Sequence, residues 1–596
     1  MAVAHDARVS LPPRSRNSDV ARLMEEIVEL LEIKGEQPFR VNAYRTAARR
    51  IEGLREPVET VHAEGRLRSI NGIGPALEQK IGEFLTTGRL EYIERLRAEF
   101  PAGLAELTQV PGLGPRTAKL VHDTLGVDSL DALEAAARAN KLRDVPGLGE
   151  KTEQRVLAEL ERLKQRSRRF QIGAAAGLAD DLAEALDACA AVERVAVVGS
   201  IRRMADTIGN VDLLVATRDP DAVERYVHVL GHVREVVHDA GVVRVLVRND
   251  TQVTVHAVSP DGWGAGLLYH TGSAAHVQRV QARATERGWR LDARGLDTGS
   301  KGPKVDGASE DDVYALLGLQ PIPPELREDG GEIELAAADK LPRLIELSDL
   351  RGDLHVHSNW SDGGSPIEEM VRASIERGHE YIALTDHSKS LGVANGLTEA
   401  RVREQRGVLD ALASSVAPFR VFHGTEMDIK RDGALDYADD TLEYLEYVSA
   451  SIHSAMNQPR DVMTARILRA LENPWVATFN HPHGRLIGSR PAYEVDMDAV
   501  IGAAAEHGVA LEINAQPERM DLDGVSARKA REAGVKLVIN SDSHATRQLD
   551  ILRYGVATAR RAWCGPDDVL NCLSREQFTD YLAARRRRAE SRRATP

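Results

Sequence analysis

The chain has 596 residues and a formal charge of −14, which leaves room for three or four domains, each large enough for its own core. Its three cysteines, Cys189, Cys564 and Cys572, have neither paired nor zinc-finger spacing, which excludes a disulfide scaffold and implies a reducing compartment. No stretch reaches the apolar length of a membrane span and the N-terminus lacks an apolar signal core, so a soluble, cytoplasmic protein without a membrane partner is expected. Acid is unevenly spread: residues 1–170 carry +2 and the remainder −16, so the overall charge does not exclude a nucleic-acid partner for the N-terminal part.

In chain order, the first recurring element is a glycine turn between helical patterns. It reads Ile70-Asn-Gly-Ile-Gly74, Val110-Pro-Gly-Leu-Gly114 and Val145-Pro-Gly-Leu-Gly149, the signature of helix-hairpin-helix motifs. Gly72, Gly74, Gly112, Gly114, Gly147 and Gly149 allow a tight turn whose backbone N–H groups, at the start of the next helix, can hold a DNA phosphate without reading sequence. One such turn is an ordinary helical connection; three in register favour DNA binding.

From residue 350 onward seven short apolar runs read as buried strands, among them Asp353-Leu-His-Val-His, Tyr381-Ile-Ala-Leu-Thr-Asp-His and Val538-Ile-Asn-Ser-Asp-Ser-His. Helix-like stretches such as Pro366 to Arg377 separate them, and a repeated βα pattern closes into a barrel with its reactive residues at the C-terminal strand ends. His355 and His357 are two apart on a strand and point the same way, as do Asp542 and His544. With Asp362, His387, Glu426, His453 and His481 they make nine candidate ligands, too many for one ion and suited to two or three. Imidazoles mixed with carboxylates favour zinc, manganese or iron over magnesium or calcium. Ions of this kind lower the pKa of water and stabilise attacking and leaving oxygens, which implies phosphoester hydrolysis. His379, His423 and His507 are read as structural or solvated. His483 and Arg485 are candidates for a substrate phosphate, with a turn held by Gly484 an equal account. The basic run from Arg585 to Arg588 reads as a solvated tail.

The His355-Val-His357 start, the Thr385-Asp-His-Ser388 segment and the Ser541-Asp-Ser-His544 end resemble the PHP domain, named for polymerases and histidinol phosphatases. The resemblance implies a distorted seven-stranded barrel with a three-metal phosphoesterase site, and it maps onto the same nine residues.

The segment from Gly72 to Gly88 resembles the N-terminal domain of family X DNA polymerases such as polymerase beta. Lys80 falls where that family's lyase lysine forms a Schiff base with an abasic sugar. An ordinary surface lysine is the alternative, favoured by Ala76 standing where a second lysine is common. Val198-Gly-Ser-Ile-Arg-Arg203 resembles the family's phosphate-binding turn, implying Ser200, Arg203 and Gly209 as contacts to a deoxynucleoside triphosphate. Tyr269-His-Thr-Gly-Ser273 resembles the segment lining the nucleotide pocket, implying Tyr269, Thr271, Gly272 and Ser273, with His270 replacing an aromatic residue. The family clamps two magnesium ions between three aspartates. Here Asn210 and Thr254 stand at two of those positions, so Asp212 is a catalytic remnant and magnesium binding in the palm is doubtful.

The resemblance covers nearly the whole chain and matches bacterial family X polymerases with a C-terminal PHP domain. It implies a lyase-like helical domain (residues 1–95), a helix-hairpin-helix region (96–168), an α+β nucleotidyltransferase palm and thumb (169–320), a linker (321–349), a distorted (β/α)7 barrel (350–585) and a basic tail (586–596). The expected protein is a DNA-repair enzyme. Its barrel, loaded with manganese or zinc, is a phosphodiesterase implied to act as 3′-to-5′ exonuclease, 3′-end processor and abasic-site endonuclease on gapped, nicked or 3′-recessed DNA. Its palm is degenerate in catalysis. Two rivals stand: a working gap-filling polymerase with a proofreading barrel, and a small-molecule phosphatase of the histidinol-phosphatase type, for which hairpin motifs have no use.

Overall fold

The computed structural model describes residues 17–594 except 35, 53, 55, 56, 71, 88, 99–106, 108, 109, 111, 112, 114, 167–169, 231, 232, 240, 241, 248–250, 301, 303, 304, 306 and 307. The chain divides into two compact units, Met1–Ser167 and Arg168–Pro596.

The first unit is helical. Helices Asn17–Lys34, Pro38–Glu52, Pro75–Thr87 and Glu91–Ala98 enclose one core that includes Met24, Ile27, Tyr44, Ile70, Ile73 and Ile81. A second core, around Leu113, Val121, Leu142, Val145 and Val156, joins helices Pro115–Leu125, Leu130–Arg138 and Glu150–Arg166. Two glycine turns, the first without Asn71, lie among the described residues. Gly72 has φ +94° and Gly147 φ +86°, a region that side chains seldom adopt, and a β-carbon on Gly72 would meet Thr46 at 2.9 Å. Apolar residues on either side of each turn, Ile70 and Ile73 or Val145 and Leu148, anchor it to the core. The turn is thereby left at the start of the following helix.

The second unit holds a palm, a thumb and a barrel. The palm sheet runs in the order Arg194–Val198, Val211–Ala216, Gln252–Val258, Val242–Val247, Val233–Asp239; the second and third strands are parallel and the other pairs antiparallel. Its alternating apolar residues, among them Leu213, Val215, Val253 and Val255, pack on helices Ile172–Asp187 and Pro220–His228. Helices Trp263–Thr271, Ala274–Glu286 and Glu310–Leu316 and the hairpin Arg290–Asp292/Gly295–Asp297 form the thumb. The stretch after it is residues 321–349, the expected linker. It carries the helix Glu332–Ala337 and buries Leu326, Ile333 and Leu344 with thumb residues, while fully buried Arg327 pairs with Glu310 at 2.6 Å.

Seven parallel strands in sequential order form the barrel: Gly352–Val356, Tyr381–Leu384, Arg420–Asp428, Tyr447–Ser451, Thr478–Phe479, Ala510–Asn514 and Leu537–Asn540. The first and last meet through a bridge between Val356 and Ser543, with His357 N donating to Ser543 O at 2.9 Å, so the sheet nearly closes. Helices such as Ile367–Glu376, Arg460–Leu471 and Gly524–Glu532 cross back outside it, as parallel pairing requires. At the N-terminal strand ends, Tyr381, Tyr447, Ala510 and Val538 gather on Phe578, whose ring stacks on Tyr381 at 5.1 Å. Phe578 belongs to the helix Arg575–Ala594, which takes in the arginine run; Arg585 donates to the carbonyls of Gly508 and Val476 and is not a solvated tail residue. The reactive ends lie at the opposite mouth.

Candidate metal centre

All nine predicted ligands converge at the C-terminal mouth of the barrel. Glu426 occupies the middle: its carboxylate lies 3.4 Å from His355 Nε2, 3.5 Å from His357 Nε2, 3.0 Å from His387 Nδ1, 3.3 Å from His453 Nε2 and 2.9 Å from His481 Nε2. Asp542 Oδ1 is 3.5 Å from His355 and 3.4 Å from His357, and Asp362 faces His544 at 3.4 Å and His387 at 3.5 Å. Strand parity explains the first pair, since His355 and His357 alternate with the outward-packed Val356. His481 and Asp542 lie just past strand ends with φ of +29° and +51°, strained backbone of the kind that tight functional constellations retain.

These residues fit metal ions. Three groups each bring ligand atoms within 4.8 Å of one another: His357, Asp362, His387 and His544; His355, His357 and Asp542; His387, Glu426 and His453. His357 and His387 are shared. Five buried imidazole nitrogens here, His355 Nε2, both of His357, and Nδ1 of His387 and His453, have no hydrogen-bond partner, an arrangement costly without a cation. Burial alone would raise the Glu426 carboxyl, but the charges of His453, His355 and His387 hold it well below the carboxylate range. Burial would likewise lower His387, yet Glu426 and Asp362 push it up to about 10. Burial, joined by the neighbouring His544, takes His357 down to about 4. Asp362 and His544, each 32% exposed, form the open rim of an otherwise buried cluster.

A second ring of carboxylates orients the first. Glu512, fully buried, accepts from His355 Nδ1 at 2.7 Å, His481 N at 2.7 Å and Asn540 Nδ2 at 2.9 Å. Asp386 accepts from Ser358 N and Oγ, Ser361 Oγ and Gln405 Nε2, and Asp428 accepts from Ser390 Oγ and faces His453. Glu512, Asp386 and Asp428 were assigned no role from the sequence. The available signal was a carboxylate inside an apolar run. Of the discounted histidines, His423 is buried against Gln405, and His379 and His507 stand beside helix ends.

Arg485 is otherwise engaged than a phosphate contact would be: it donates to the carbonyls of Arg519 at 2.8 Å and Met520 at 2.5 Å and faces Asp206 at 3.0 Å. His483 pairs with Asp521 at 2.9 Å, and Gly484, with φ +61°, has no room for a β-carbon beside the Tyr493 ring, so this segment is a built turn.

In the palm, Asp212 and Thr254 are direct partners on parallel strands. Asp212 Oδ1 accepts from Asn210 Nδ2 at 2.8 Å and lies 3.2 Å from His256 Nε2, and His256 stacks on His270 at 4.1 Å. A single carboxylate capped by an amide and an imidazole does not fit a pair of magnesium ions, and no metal-holding group arises here among the described residues. The capping role of His256 was not foreseen. Asp206 lies in a bend, and Asp250 lies outside the described residues. The nucleotide-pocket residues are partly engaged by the protein itself. Arg203 donates to Thr271 O at 2.5 Å and pairs with Glu328 at 3.1 Å; Thr271 Oγ1 accepts from Arg202 at 2.6 Å. Ser273 Oγ caps the next helix through His276 N, Gly272 has φ +73°, and Tyr269 packs edge-on to His270. Ser200 lies in the short helix Gly199–Arg202 and Gly209 in the bend before the Asp212 strand.

In the helical unit, Lys80 sits on the helix Pro75–Thr87 with Nζ 4.7 Å from the Tyr92 ring centroid; burial, then the charge of Arg40, lowers its pKa. No hydrogen bond is accepted from Gly74, Gly147 or Gly149 N–H by any described residue. Gly112 and Gly114 lie outside the described residues.

Comparison with known proteins agrees with this architecture. A helix-hairpin-helix domain matches residues 15–90, a SAM-like helix-hairpin-helix tandem 104–162, the DNA polymerase beta thumb 266–328 and the PHP domain 353–516. The chain belongs to the family X DNA polymerases that carry a C-terminal PHP domain. It is 38% identical over 568 residues to the DNA polymerase/3′-5′ exonuclease PolX of Bacillus subtilis (strain 168), covering 95% of this chain and 99% of that protein. A probable phosphatase of Thermoanaerobacter sp. (strain X514) is 28% identical over 247 residues, 40% of this chain and 96% of its own. Another, from Shewanella sp. (strain ANA-3), is 32% identical over 208 residues, 33% of this chain and 77% of its own. The phosphatases match the PHP part alone. The chain is thus a DNA-binding enzyme with a metal-dependent hydrolase domain, and no described helix is long and apolar enough to cross a membrane.

Proposed function

We propose that the chain is a metal-dependent DNA phosphodiesterase, a 3′-to-5′ exonuclease and 3′-end processor that also cleaves at abasic sites, with the barrel as its catalytic centre and the palm serving to bind DNA. The carrying observation is the contrast between the two sites among the described residues: eight barrel residues in groups that could hold metal, with His481 on Glu426 beside them, against one capped carboxylate in the palm. The Bacillus subtilis relative is named for both activities; in this chain Asn210 and Thr254 stand where the palm resemblance implies aspartates, and His256 caps Asp212.

The nine residues would hold two or three ions, with manganese favoured and zinc the alternative. Such ions supply Lewis-acid stabilisation of the attacking and leaving oxygens of a phosphoester. The protein's own part is positioning. Glu512 fixes His355 with Nε2 inward, Asp428 faces Nδ1 of His453, and Asp386 braces the Ser358–Ser361 turn beneath the rim. The open rim at Asp362 and His544 admits the DNA end, and in the helical unit the N–H groups of Gly74, Gly147 and Gly149, without an acceptor among the described residues, hold duplex phosphates. Gapped, nicked and 3′-recessed duplexes are the expected substrates, with a deoxynucleoside triphosphate at most a ligand of the palm. The test is hydrolysis of 3′-recessed, gapped and abasic DNA by protein stripped of metal and reloaded with manganese. Shortening from the 3′ end supports the reading, and turnover confined to small phosphomonoesters overturns it.

A further inference from the structure

The loop after the sixth barrel strand carries a cation into the metal centre. Gln516 Nε2 donates to the carbonyls of Ser541 at 3.0 Å and Asp542 at 2.9 Å, which seats the loop against the last ligand pair. From it Arg519 places Nε 3.4 Å from Asp542 Oδ2, with its side chain 19% exposed. Oδ1 of the same carboxylate faces His355 and His357, so the guanidinium lies on the outer oxygen, shared with Asn514 Nδ2 at 3.0 Å. The terminal nitrogens of Arg519 have no hydrogen-bond partner among the described residues.

The palm holds that loop. Arg485 clamps the carbonyls of Arg519 and Met520 while its third nitrogen sits 3.0 Å from Asp206 of the palm. Ile487 N donates to Glu518 O at 2.5 Å, and Ile487 O accepts from Gln171 of the palm at 2.8 Å. Pro517 abuts Gly173, where a β-carbon would lie 2.9 Å from it, and Met520 and Tyr554 are buried in the palm core.

We infer that Arg519 contacts a non-bridging oxygen of the scissile phosphodiester, and that the palm, through Asp206 and Arg485, sets its position. A guanidinium beside a metal-ligating carboxylate adds nothing to ion binding, because it competes for the same negative charge. Its unpaired N–H fork matches a phosphate, and a fixed donor at that place gains strength as charge develops on the phosphoryl oxygens. The palm then contributes to hydrolysis without performing chemistry of its own. The inference rests on the nuclease reading above.

The full-length protein, loaded with manganese, is assayed on a 3′-recessed duplex beside Arg519→Ala, Arg519→Lys and Asp206→Asn, with bound metal measured by plasma mass spectrometry. Arg519→Ala lowers kcat about a hundredfold at parental metal content, and free guanidinium ion restores part of the loss. Arg519→Lys falls between, and Asp206→Asn lowers kcat up to about tenfold, again with metal unchanged. Parental kcat in Arg519→Ala overturns the inference, as does loss of metal in that variant, which makes Arg519 a support of the ion site only. Failure of the parent itself to cut DNA sinks the nuclease reading and this inference with it, whereas parental cutting unaffected by Arg519→Ala refutes the inference alone.

Discussion

Glu512 accepts a hydrogen bond from His355 Nδ1 at 2.7 Å, and this fixes the imidazole with Nε2 turned to Glu426 and Asp542. A carboxylate behind a ligating histidine sets its tautomer and raises its basicity. Glu512→Gln is therefore expected to weaken manganese binding about 10- to 100-fold while the fold persists. Titration calorimetry on metal-free protein checks this, and unchanged affinity would remove Glu512 from the site.

The glycine turns of the helical unit should bind DNA without regard to sequence. Gly147→Val forces a β-branched residue to φ +86° and displaces the adjacent N–H donors. Losing a phosphate contact of this kind costs about 1 kcal/mol, roughly fivefold in Kd, equally on unrelated duplexes. Fluorescence anisotropy at several salt concentrations measures it, and affinity should fall as salt rises. Loss restricted to particular sequences would contradict phosphate recognition.

Glu310 links the thumb to the buried guanidinium of Arg327 and to Arg202. Burial would raise its carboxyl, but the hydrogen bond from Arg202 and the charge of Arg327 lower it to about 2. A carboxyl depressed in the folded state stabilises above its unfolded pKa, and that contribution is lost as pH falls toward 2. Glu310→Gln leaves Arg327 buried without its charge partner and should cost about 3 kcal/mol near neutral pH. In denaturant titrations the difference from the parent should shrink between about pH 4.5 and 2. A pH-independent difference would show that shape, not charge, carries the interaction.

Repairing the palm should restore synthesis. Asn210→Asp with Thr254→Asp returns two carboxylates beside Asp212, Thr254 being its partner in the strand register and Asn210 its hydrogen-bond donor. Each single change should do less, since shared ions make the effects non-additive. Adding His256→Val, which frees Asp212 Oδ1 from its imidazole cap, should raise extension of a gapped primer further. Strong extension by the unmodified protein, abolished by Asp212→Ala, would establish the polymerase rival.

Much of the barrel site was legible because ligands fall at strand ends and strand parity is a short-range property. His355 and His357 could be placed on one face from two residues of spacing. Glu512 and Arg519 could not, because their roles depend on neighbours 157 and 23 positions away that closure of the barrel and the pairing of its last two strands bring near. The same holds for His256, whose partner Asp212 lies on an adjacent strand. For Arg485 the motif left a phosphate contact and a turn equally open, and its contact with Asp206 depends on the packed palm. In the stretch after the thumb, composition gave no sign that Arg327 and Ile333 are buried.

The most direct measurement compares manganese-dependent cleavage of a 3′-recessed duplex by the parent, His355→Ala, Asp542→Ala and Asp212→Ala, each with its metal content determined. The barrel variants should lose bound metal and nearly all cleavage while remaining folded, and Asp212→Ala should cut at nearly the parental rate. Cleavage retained in both barrel variants with metal unchanged, or abolished by Asp212→Ala, would contradict the assignment of catalysis to the barrel.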